Sequence, residues 1–342
     1  MSPAEKVVAG IDLGGTAINY TFLDERGQFL IDGLFEHPAR SVDGPAVCLA
    51  QIADGLSLAA TKAGVPLSKL VAAGLDTPGP ASAAGVLSRR GSTNFVHLEW
   101  AGFDIRAALE DRLGMPVTYL NDGNAAALWG HVSLFGSENE ATSISAIIGT
   151  GLGGGVITGG RVVTGRNGFG GELGHVLIPY GEIPGIDGLV PTCNCGRTGD
   201  LESLCSLTAI RRSLLPHFLA RHPGHPLADV ADIGEAAKQV RGLATRGDAM
   251  CREIFRVQAR ALGLFFDEMI NVFDPDALVV GGGALEADKA FRDWFLAEIR
   301  AGMPVARVEQ ADLPLHVIPG GDTAGSRGAA LDAARLVRER AM

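Results

Sequence analysis

The residues Val7-Val-Ala-Gly-Ile-Asp-Leu-Gly-Gly-Thr16 carry the reading from which the fold follows. The apolar run VVAGI at 7–11 enters Asp12-Leu-Gly-Gly-Thr16, a second apolar run leaves it from Ile18 to Leu23, and the turn DERG follows at 24–27. Short apolar runs bounded by glycine and turn residues predict strand, turn, strand. The same grammar returns at 144–163: ISAII runs into Gly149-Thr-Gly-Leu-Gly-Gly-Gly155, then come VIT, the turn GGR and VV. The chain reads as two copies of one unit. Between them the pattern predicts a helix over 44–64, a strand at 70–75, a Gly/Pro loop at 76–85, a helix at 103–113 and a strand at 116–120. Beyond 200 helices prevail, at 206–220, 232–246 and 248–272, before a strand at 277–280, a helix at 286–301 and a closing helix at 324–340. This is an α/β chain.

At ~150 residues per domain, 342 residues suggest two domains. The expected division is 1–120 with a returning helix at 324–342, then 121–323, since chain termini often lie near one another. With 46% hydrophobic and 20% charged residues, and a mean hydropathy of +0.20, the chain can bury a large core, which excludes extended disorder. A net charge of −10 repels phosphate backbones and anionic bilayers, so neither nucleic acid nor membrane is an expected partner. The opening MSPAEKVVAG has no basic segment followed by an apolar one, and no stretch offers ~18 uncharged apolar residues. A cytoplasmic protein is expected. Five cysteines fit reduced thiols better than a disulfide framework. Forty-seven glycines, about twice the usual ~7%, mark places where backbone turns sharply or approaches a ligand.

In Asp12-Leu-Gly-Gly-Thr16 the glycines allow backbone N–H groups to face an anion, Thr16 adds a hydroxyl, and Asp12 suits a hydrated Mg²⁺ beside phosphates. A plain Gly-Gly β-turn uses the same residues. Gly149-Thr150-Gly151 favours the first reading, because two such turns can grip a nucleoside triphosphate from opposite sides of a cleft; neither is a P-loop, as no Gly-Lys-Ser/Thr follows. Asn121-Asp122 follows the strand VTYL, so Asp122 projects at a strand's C-terminal edge, where α/β proteins place ligands. There it serves as a base toward an attacking hydroxyl, or as the cap of a helix starting at Asn124. Glu172 and His175, three apart, face one pocket from a single helical turn and suit sugar hydroxyls. Cys193-Asn-Cys195 on a glycine turn, with His175, could share a Zn²⁺ whose fourth ligand is Asp200 or Cys205; otherwise these are simply reduced thiols.

Taken in order, DLGGT at 12–16 with Asp24, Asn121-Asp122, GTGLGGG at 149–155, GELGH at 171–175 and CNCGRTGDLE at 193–202 resemble the ROK family of sugar kinases, related repressors and uncharacterised reading frames. The resemblance spans nearly the whole chain. It implies the actin-like ATPase (ribonuclease H-like) fold, two α/β domains around an interdomain cleft, and an ATP-dependent hexose kinase using ATP and Mg²⁺. By this resemblance Asp12, Gly14, Gly15 and Thr16 bind phosphate and metal, Gly149, Thr150 and Gly151 form the second phosphate loop, and Gly281, Gly282 and Gly283 form the adenosine-side turn. Asn94, Asn121, Asp122, Glu172, His175 and Glu202 match sugar-binding positions, with Asp122 deprotonating the 6-hydroxyl. Structural zinc falls to His175, Cys193, Cys195 and Asp200.

Three departures from the family pattern stand out. Asp200 replaces the third cysteine of Cys-x-Cys-Gly-x-x-Gly-Cys-x-Glu, YGEIPGIDGLVP lengthens the spacer from His175 to Cys193, and Ala17 stands where Lys often follows the threonine. The family's repressors carry an N-terminal helix-turn-helix, whereas this chain enters its first strand by residue 7. The expected substrate is glucose, with N-acetylmannosamine, N-acetylglucosamine or fructose as alternative acceptors and polyphosphate as an alternative donor. A catalytically silent sugar sensor is the contrasting reading. A homo-oligomer, dimer or tetramer, completes the expectations.

Overall fold

The computed structural model describes residues 6–89, 94–305 and 307–341. Its first sheet contains β1 (Val7–Leu13), β2 (Ala17–Asp24), β3 (Glu36–Pro38), β4 (Leu70–Thr77) and β5 (Val117–Asn121), in the order β3-β2-β1-β4-β5. β1 runs antiparallel to β2 and parallel to β4, and β4 runs parallel to β5. Side chains alternate across a strand, so β1 feeds two cores. Ala9, Ile11 and Leu13 join Ile18, Tyr20 and Phe22 of β2 on one face, while Val8 joins Ala72 and Leu120 on the other.

The first face is covered by α1 (Pro45–Ala63) and α2 (Ile105–Leu113). Pro45 suits the first turn of α1, where its missing N–H costs nothing, and Gly64 ends the helix at φ 68°. Asp104 caps α2 by accepting from the Ala107 amide at 2.9 Å. The second face is covered by α3 (Asp122–Phe135) and the C-terminal helix α9 (Ala324–Ala341). Gly10 and Gly74 are register partners on β1 and β4, and a Cβ on either would collide with the backbone carbonyl of Ser326 or Ala329 in α9. Gly328 of α9 meets the Ala125 carbonyl of α3 in the same way. Glycine is what lets these backbones touch.

The second sheet contains β6 (Ser143–Ile148), β7 (Leu152–Thr158), β8 (Arg161–Val162), β9 (Ala277–Gly282) and β10 (Leu315–Val317), in the order β10-β9-β6-β7-β8. Read from its short edge hairpin, this is the order of the first sheet again: the repeated strand-turn-strand of the sequence is a repeated fold. β9 lies parallel to β6 and to β10. The helices of this half are α4 (Leu207–Ala209), a π-helical turn at Ile210–Leu214, α5 (Leu215–Arg221), α6 (Ile233–Thr245), α7 (Ala249–Phe273) and α8 (Lys289–Ala301). α7 packs on α8 through Phe255, which meets Phe291 edge-on at 5.1 Å between centroids. Helix α8 begins at Lys289, later than the expected 286, because Asp288 supplies the cap to the Phe291 amide at 2.8 Å.

The chain forms two compact units. One takes the chain up to Asn139, Gly155–Gly171 and the chain from Pro319 onward; the other takes Glu140–Gly154 and Glu172–Ile318. Helix α3 thus belongs with the first unit, not with the residues after 121 where the sequence reading put it, since its Ala125 carries the close approach of α9. All five cysteines are free, and only Cys195 is exposed. Among the described residues no helix is long and apolar enough to cross a membrane.

Candidate active site

In the first unit the Gly14 N–H donates to the Ala17 carbonyl at 2.9 Å and closes the hairpin. This corrects the expectation that both glycine amides face an anion, because an amide committed to the turn is not presented to a ligand. Asn94 seats against Gly15, where a Cβ would lie 2.9 Å from its Oδ1. Ser41, a residue the sequence reading missed, ties the two together: its fully buried hydroxyl lies 2.5 Å from the Gly15 carbonyl and 3.0 Å from that of Asn94. The Trp100 indole in turn donates to the Ser41 carbonyl at 2.8 Å. Asp24, at the end of β2, accepts from the Arg26 and Gln28 amides at 2.9 and 2.8 Å, so it shapes the DERG turn.

Asp12 ends β1 within a row of polar residues. Its register partner on β2 is Asn19 and on β4 is Asp76, so Asn19, Asp12 and Asp76 stand side by side across three strands on one sheet face. Asn19 Nδ2 donates to Asp12 Oδ2 at 3.2 Å. Asp76 is fully buried and stands between two other carboxyls, that of Asp12 on the β1 side and that of Asp122 on the β5 side. Burial, then the charges of Asp12 and Asp122, raise Asp76 well above the usual carboxylate range. Burial likewise raises Asp12, against the pull of hydrogen bonds from Asn19 and Asp76. Asp76 was missed by the sequence reading, yet a signal existed: Ala9-Gly-Ile-Asp12 and Ala73-Gly-Leu-Asp76 are near-copies that pair residue for residue.

One strand further on, Asn121 pairs with Thr77 at the end of β5, and Asp122 opens α3. The helix starts two residues earlier than expected, and its cap is Asn121, whose Oδ1 accepts from the Gly123 amide at 3.0 Å. Asp122 Oδ1 shares that amide at 2.7 Å. The C-terminal edge of this sheet therefore carries Asp12 on β1, Asp76 on β4 and, directly after β5, Asp122 at the start of α3.

In the second unit the Gly149 N–H closes its own turn on the Gly151 carbonyl at 2.9 Å. The carbonyls of Gly149 and Thr150 accept from the Leu207 and Thr208 amides at 3.0 and 3.1 Å, which anchors the turn to the start of α4. Glu202 reaches under it: Oε2 accepts from the Leu152 amide at 2.9 Å and Oε1 from the Cys193 thiol at 3.1 Å. A Cβ on Gly151 would crowd the Glu202 carboxylate, which would have to shift to admit it. Glu172 precedes a 3₁₀ turn at Leu173–His175. Partial burial raises its carboxyl, opposed by His175 and assisted by the charge of Glu202. Gly281 and Gly282 end β9, and Gly283 opens a 3₁₀ turn whose carbonyl Arg241 holds.

His175 links two groups. Its Nε2 lies 4.0 Å from Glu172, while Nδ1 lies 3.1 Å from Asp200 Oδ2 and 3.8 Å from Cys193 Sγ. Cys195 Sγ is 3.4 Å from the same Asp200 oxygen. These four ligand atoms lie within 4.8 Å of one another. Zinc bonds of ~2.0–2.3 Å would span tetrahedral edges of roughly 3.3–3.8 Å, so the donor set fits Zn²⁺ in number, softness and spacing. Cys205, the alternative fourth ligand, does not join them: its buried thiol donates to the Gln258 carbonyl at 3.1 Å. Asp200 is fully buried and its other oxygen caps the Ser203 amide at 3.0 Å. The long spacer packs on α5, with Gly185 accepting from His217 and Arg221 and with Ile183 and Ile186 buried.

Known proteins share this architecture. The model of the ROK family matches residues 8–335. A glucokinase of Halalkalibacterium halodurans is 31% identical over 291 residues, which is 83% of this chain and 82% of that protein. The crystal structure of a ROK hexokinase from Thermus thermophilus superposes with a TM-score of 0.75 at 31% identity, covering 97% of this chain and 99% of that one. A ROK family glucokinase from Streptomyces griseus, in complex with glucose and AMPPNP, superposes with a TM-score of 0.72 at 26% identity, covering 96% and 99%.

Proposed function

The chain belongs to the ROK family, with its actin-like ATPase fold, and from that premise we propose that it is an ATP-dependent hexose kinase acting on the 6-hydroxyl of glucose. The observation that carries the proposal is Asp122, a carboxylate at the C-terminal edge of β5 and the start of α3, where Asn121 supplies the helix cap. In this reading Asp122 accepts the proton of the 6-hydroxyl as that oxygen bonds to the γ-phosphorus. The bond from phosphorus to the bridging oxygen breaks, and ADP leaves with the electron pair. A base positioned for this step is worth roughly 10²–10⁴ in rate.

Asn94, Asn121 and Glu172 serve as hydroxyl partners of the sugar, and His175 as another through Nε2. Glu202, with one oxygen on the Leu152 amide and the other on the Cys193 thiol, also shapes the second turn. Gly15 with Thr16, and Thr150 with Gly151, hold phosphate oxygens, and Gly281–Gly283 border the adenosine. Mg²⁺ at Asp12 supplies charge neutralisation for the triphosphate when bound. His175, Cys193, Cys195 and Asp200 hold a Zn²⁺ that orders the 193–200 loop. The glucokinase names among the relatives and the glucose and AMPPNP in one structural neighbour support sugar and donor alike.

The test is ATP consumption with Mg²⁺ against glucose, mannose, fructose, N-acetylglucosamine and N-acetylmannosamine, with Asp122→Ala beside the wild type. Turnover with glucose that the variant loses is the expected result. Equal turnover by the variant would remove Asp122 from the mechanism, and a sugar that raises the melting temperature without turnover would favour a sensor.

A further inference from the structure

The segment between β3 and α1 grips the first glycine turn from one side. Ser41 opens a 3₁₀ turn at Ser41–Asp43 and is fully buried. Its hydroxyl carries a single proton and faces two carbonyls, that of Gly15 at 2.5 Å and that of Asn94 at 3.0 Å, so one donor holds both. Two residues earlier, the Ala39 N–H donates to the Thr16 carbonyl at 2.8 Å. In a planar trans peptide the carbonyl of one residue and the N–H of the next point in opposite directions. Drawing the Gly15 carbonyl toward Ser41 therefore turns the Thr16 N–H the other way. The Asn94 side chain closes on the same turn, since a Cβ on Gly15 would stand 2.9 Å from Asn94 Oδ1.

Ser41 is itself fixed from two sides. The buried Trp100 indole donates to its carbonyl at 2.8 Å. Arg40, just before it, has φ 51°, in the left-handed region that residues with a side chain seldom adopt, and its Nε donates to Asp43 Oδ2 at 2.7 Å. A fold keeps such a conformation where the surrounding contacts over-determine it.

We propose that Ser41 is a positioning residue for the reaction, its hydroxyl setting the distance between the phosphate-holding turn at Gly15–Thr16 and the sugar partner Asn94. Being fully buried, it touches neither ligand. The inference rests on the kinase reading for the roles of Gly15, Thr16 and Asn94. Two ligands then depend on one proton. Without it the Gly15 peptide, which has no Cβ to restrict it, is free to rotate, and the Asn94 backbone loses its anchor. Donor and sugar affinity fall together, whereas a residue that served one ligand would affect that one alone.

The test is calorimetric titration of AMPPNP with Mg²⁺, and separately of glucose, into wild type, Ser41→Ala, Ser41→Cys and Tyr20→Phe, with melting temperature and turnover measured on each. Ser41→Ala is expected to weaken both ligands about fivefold or more, in line with one buried hydrogen bond. Ser41→Cys keeps the shape with a weaker donor and should weaken both by less. Tyr20→Phe is the control for losing a buried hydroxyl in the same unit, as the Tyr20 hydroxyl donates to the Ile52 carbonyl at 3.0 Å; it should lower the melting temperature and leave both affinities unchanged. A Ser41→Ala protein that loses only melting temperature, or affinity for only one ligand, would overturn the proposal. Should Ser41→Ala not fold, Ser41→Cys decides by the same two criteria. Wild type that binds both ligands without turnover would refute only the kinase reading, turnover with unchanged affinities in Ser41→Ala would refute only this one, and wild type that binds neither ligand would refute both.

Discussion

The turn at 12–16 and the turn at 149–151 each follow the central strand of a five-stranded sheet, and the two sheets have the same strand order. Each closes by a hydrogen bond from its leading glycine, Gly14 to Ala17 in one and Gly149 to Gly151 in the other. Their surroundings differ in kind. The first turn is backed by Asp12, Asp76 and Asn19: Asn19 donates to Asp12, while the Asp76 carboxyl and the Asn19 amide oxygen accept from no N–H donor. Behind the second, the nearest carboxylate, Glu202, has both oxygens occupied, and the turn's carbonyls are taken up by the start of α4. One backbone solution therefore serves two ends. Repetition accounts for the strands and turns, while the side chains that terminate the strands decide which turn has charge available for chemistry.

The sharpest way to break that contrast is to compare two carboxylates. Asp122→Asn is expected to lower kcat by about 10²–10⁴, whereas Glu202→Gln is expected to raise KM and lower the melting temperature with a smaller change in kcat. Steady-state kinetics on both variants decide it, and a kcat loss for Glu202→Gln equal to that of Asp122→Asn would move the chemistry to the second turn.

Next in size is stability. Gly74→Ala drives a Cβ into the α9 backbone, so urea unfolding should show a loss of about 3 kcal/mol or more, the upper range for overpacking. Gly149→Ala meets nothing nearer than the Gly151 carbonyl at 3.9 Å, and a loss under ~1 kcal/mol is expected. Similar losses at the two glycines would mean that both units pack alike at these strands.

Asp200 separates metal from capping. Asp200→Ala should lose zinc and the Ser203 cap, the cap alone being worth ~1 kcal/mol; Asp200→Asn keeps an acceptor for the cap but weakens the zinc site. Zinc content per chain by elemental analysis, measured with melting temperature, tells these apart. One zinc per chain retained in both variants would exclude Asp200 as a ligand.

The smallest effects are opposed pH slopes in the ion-free protein. Asp76 is raised by burial and by its acidic neighbours, so its favourable contribution is complete below the unfolded carboxyl range and is lost as pH climbs through its folded value. Asp76→Asn should then be more stable than wild type at neutral pH, with the gap closing in acid. Asp248, in the second unit, behaves oppositely. Burial pushes it up, but the Cys251 amide and His225, 3.0 Å away, outweigh that and hold it below its ordinary value. Its contribution is present above the unfolded carboxyl range and is lost as pH falls through the folded value, so Asp248→Asn should cost stability at neutral pH and little in strong acid. Thermal melts from strong acid, about pH 2, up to pH 8 would show slopes of the same sign if this account of the two acids were wrong.

Much of the fold was legible because its signals are local. Short apolar runs bounded by glycine and turn residues located β1, β2, β6 and β7, and Gly64 and Gly114 ended α1 and α2 where the helical pattern stopped. β3 and β10 were not legible, since strands of three residues carry no periodicity and exist only as pairings with β2 and β9. In the site, Asp12, Asp122 and Glu202 were readable by their place after strands or within motifs. Ser41 was not, because its role depends on two carbonyls from distant segments.

By itself the sequence determined the duplicated strand-turn-strand unit, the α/β class and the carboxylates at strand ends, because apolar runs, glycine conformational freedom and helix caps act over a few residues. Only the tertiary structure decided that Cys205 stands apart from the other thiols, and that Asp76 lies beside Asp12. Those outcomes depend on strand register and on which backbones can touch at glycine. Such choices are made by packing between segments far apart in the chain, and no local stretch contains them.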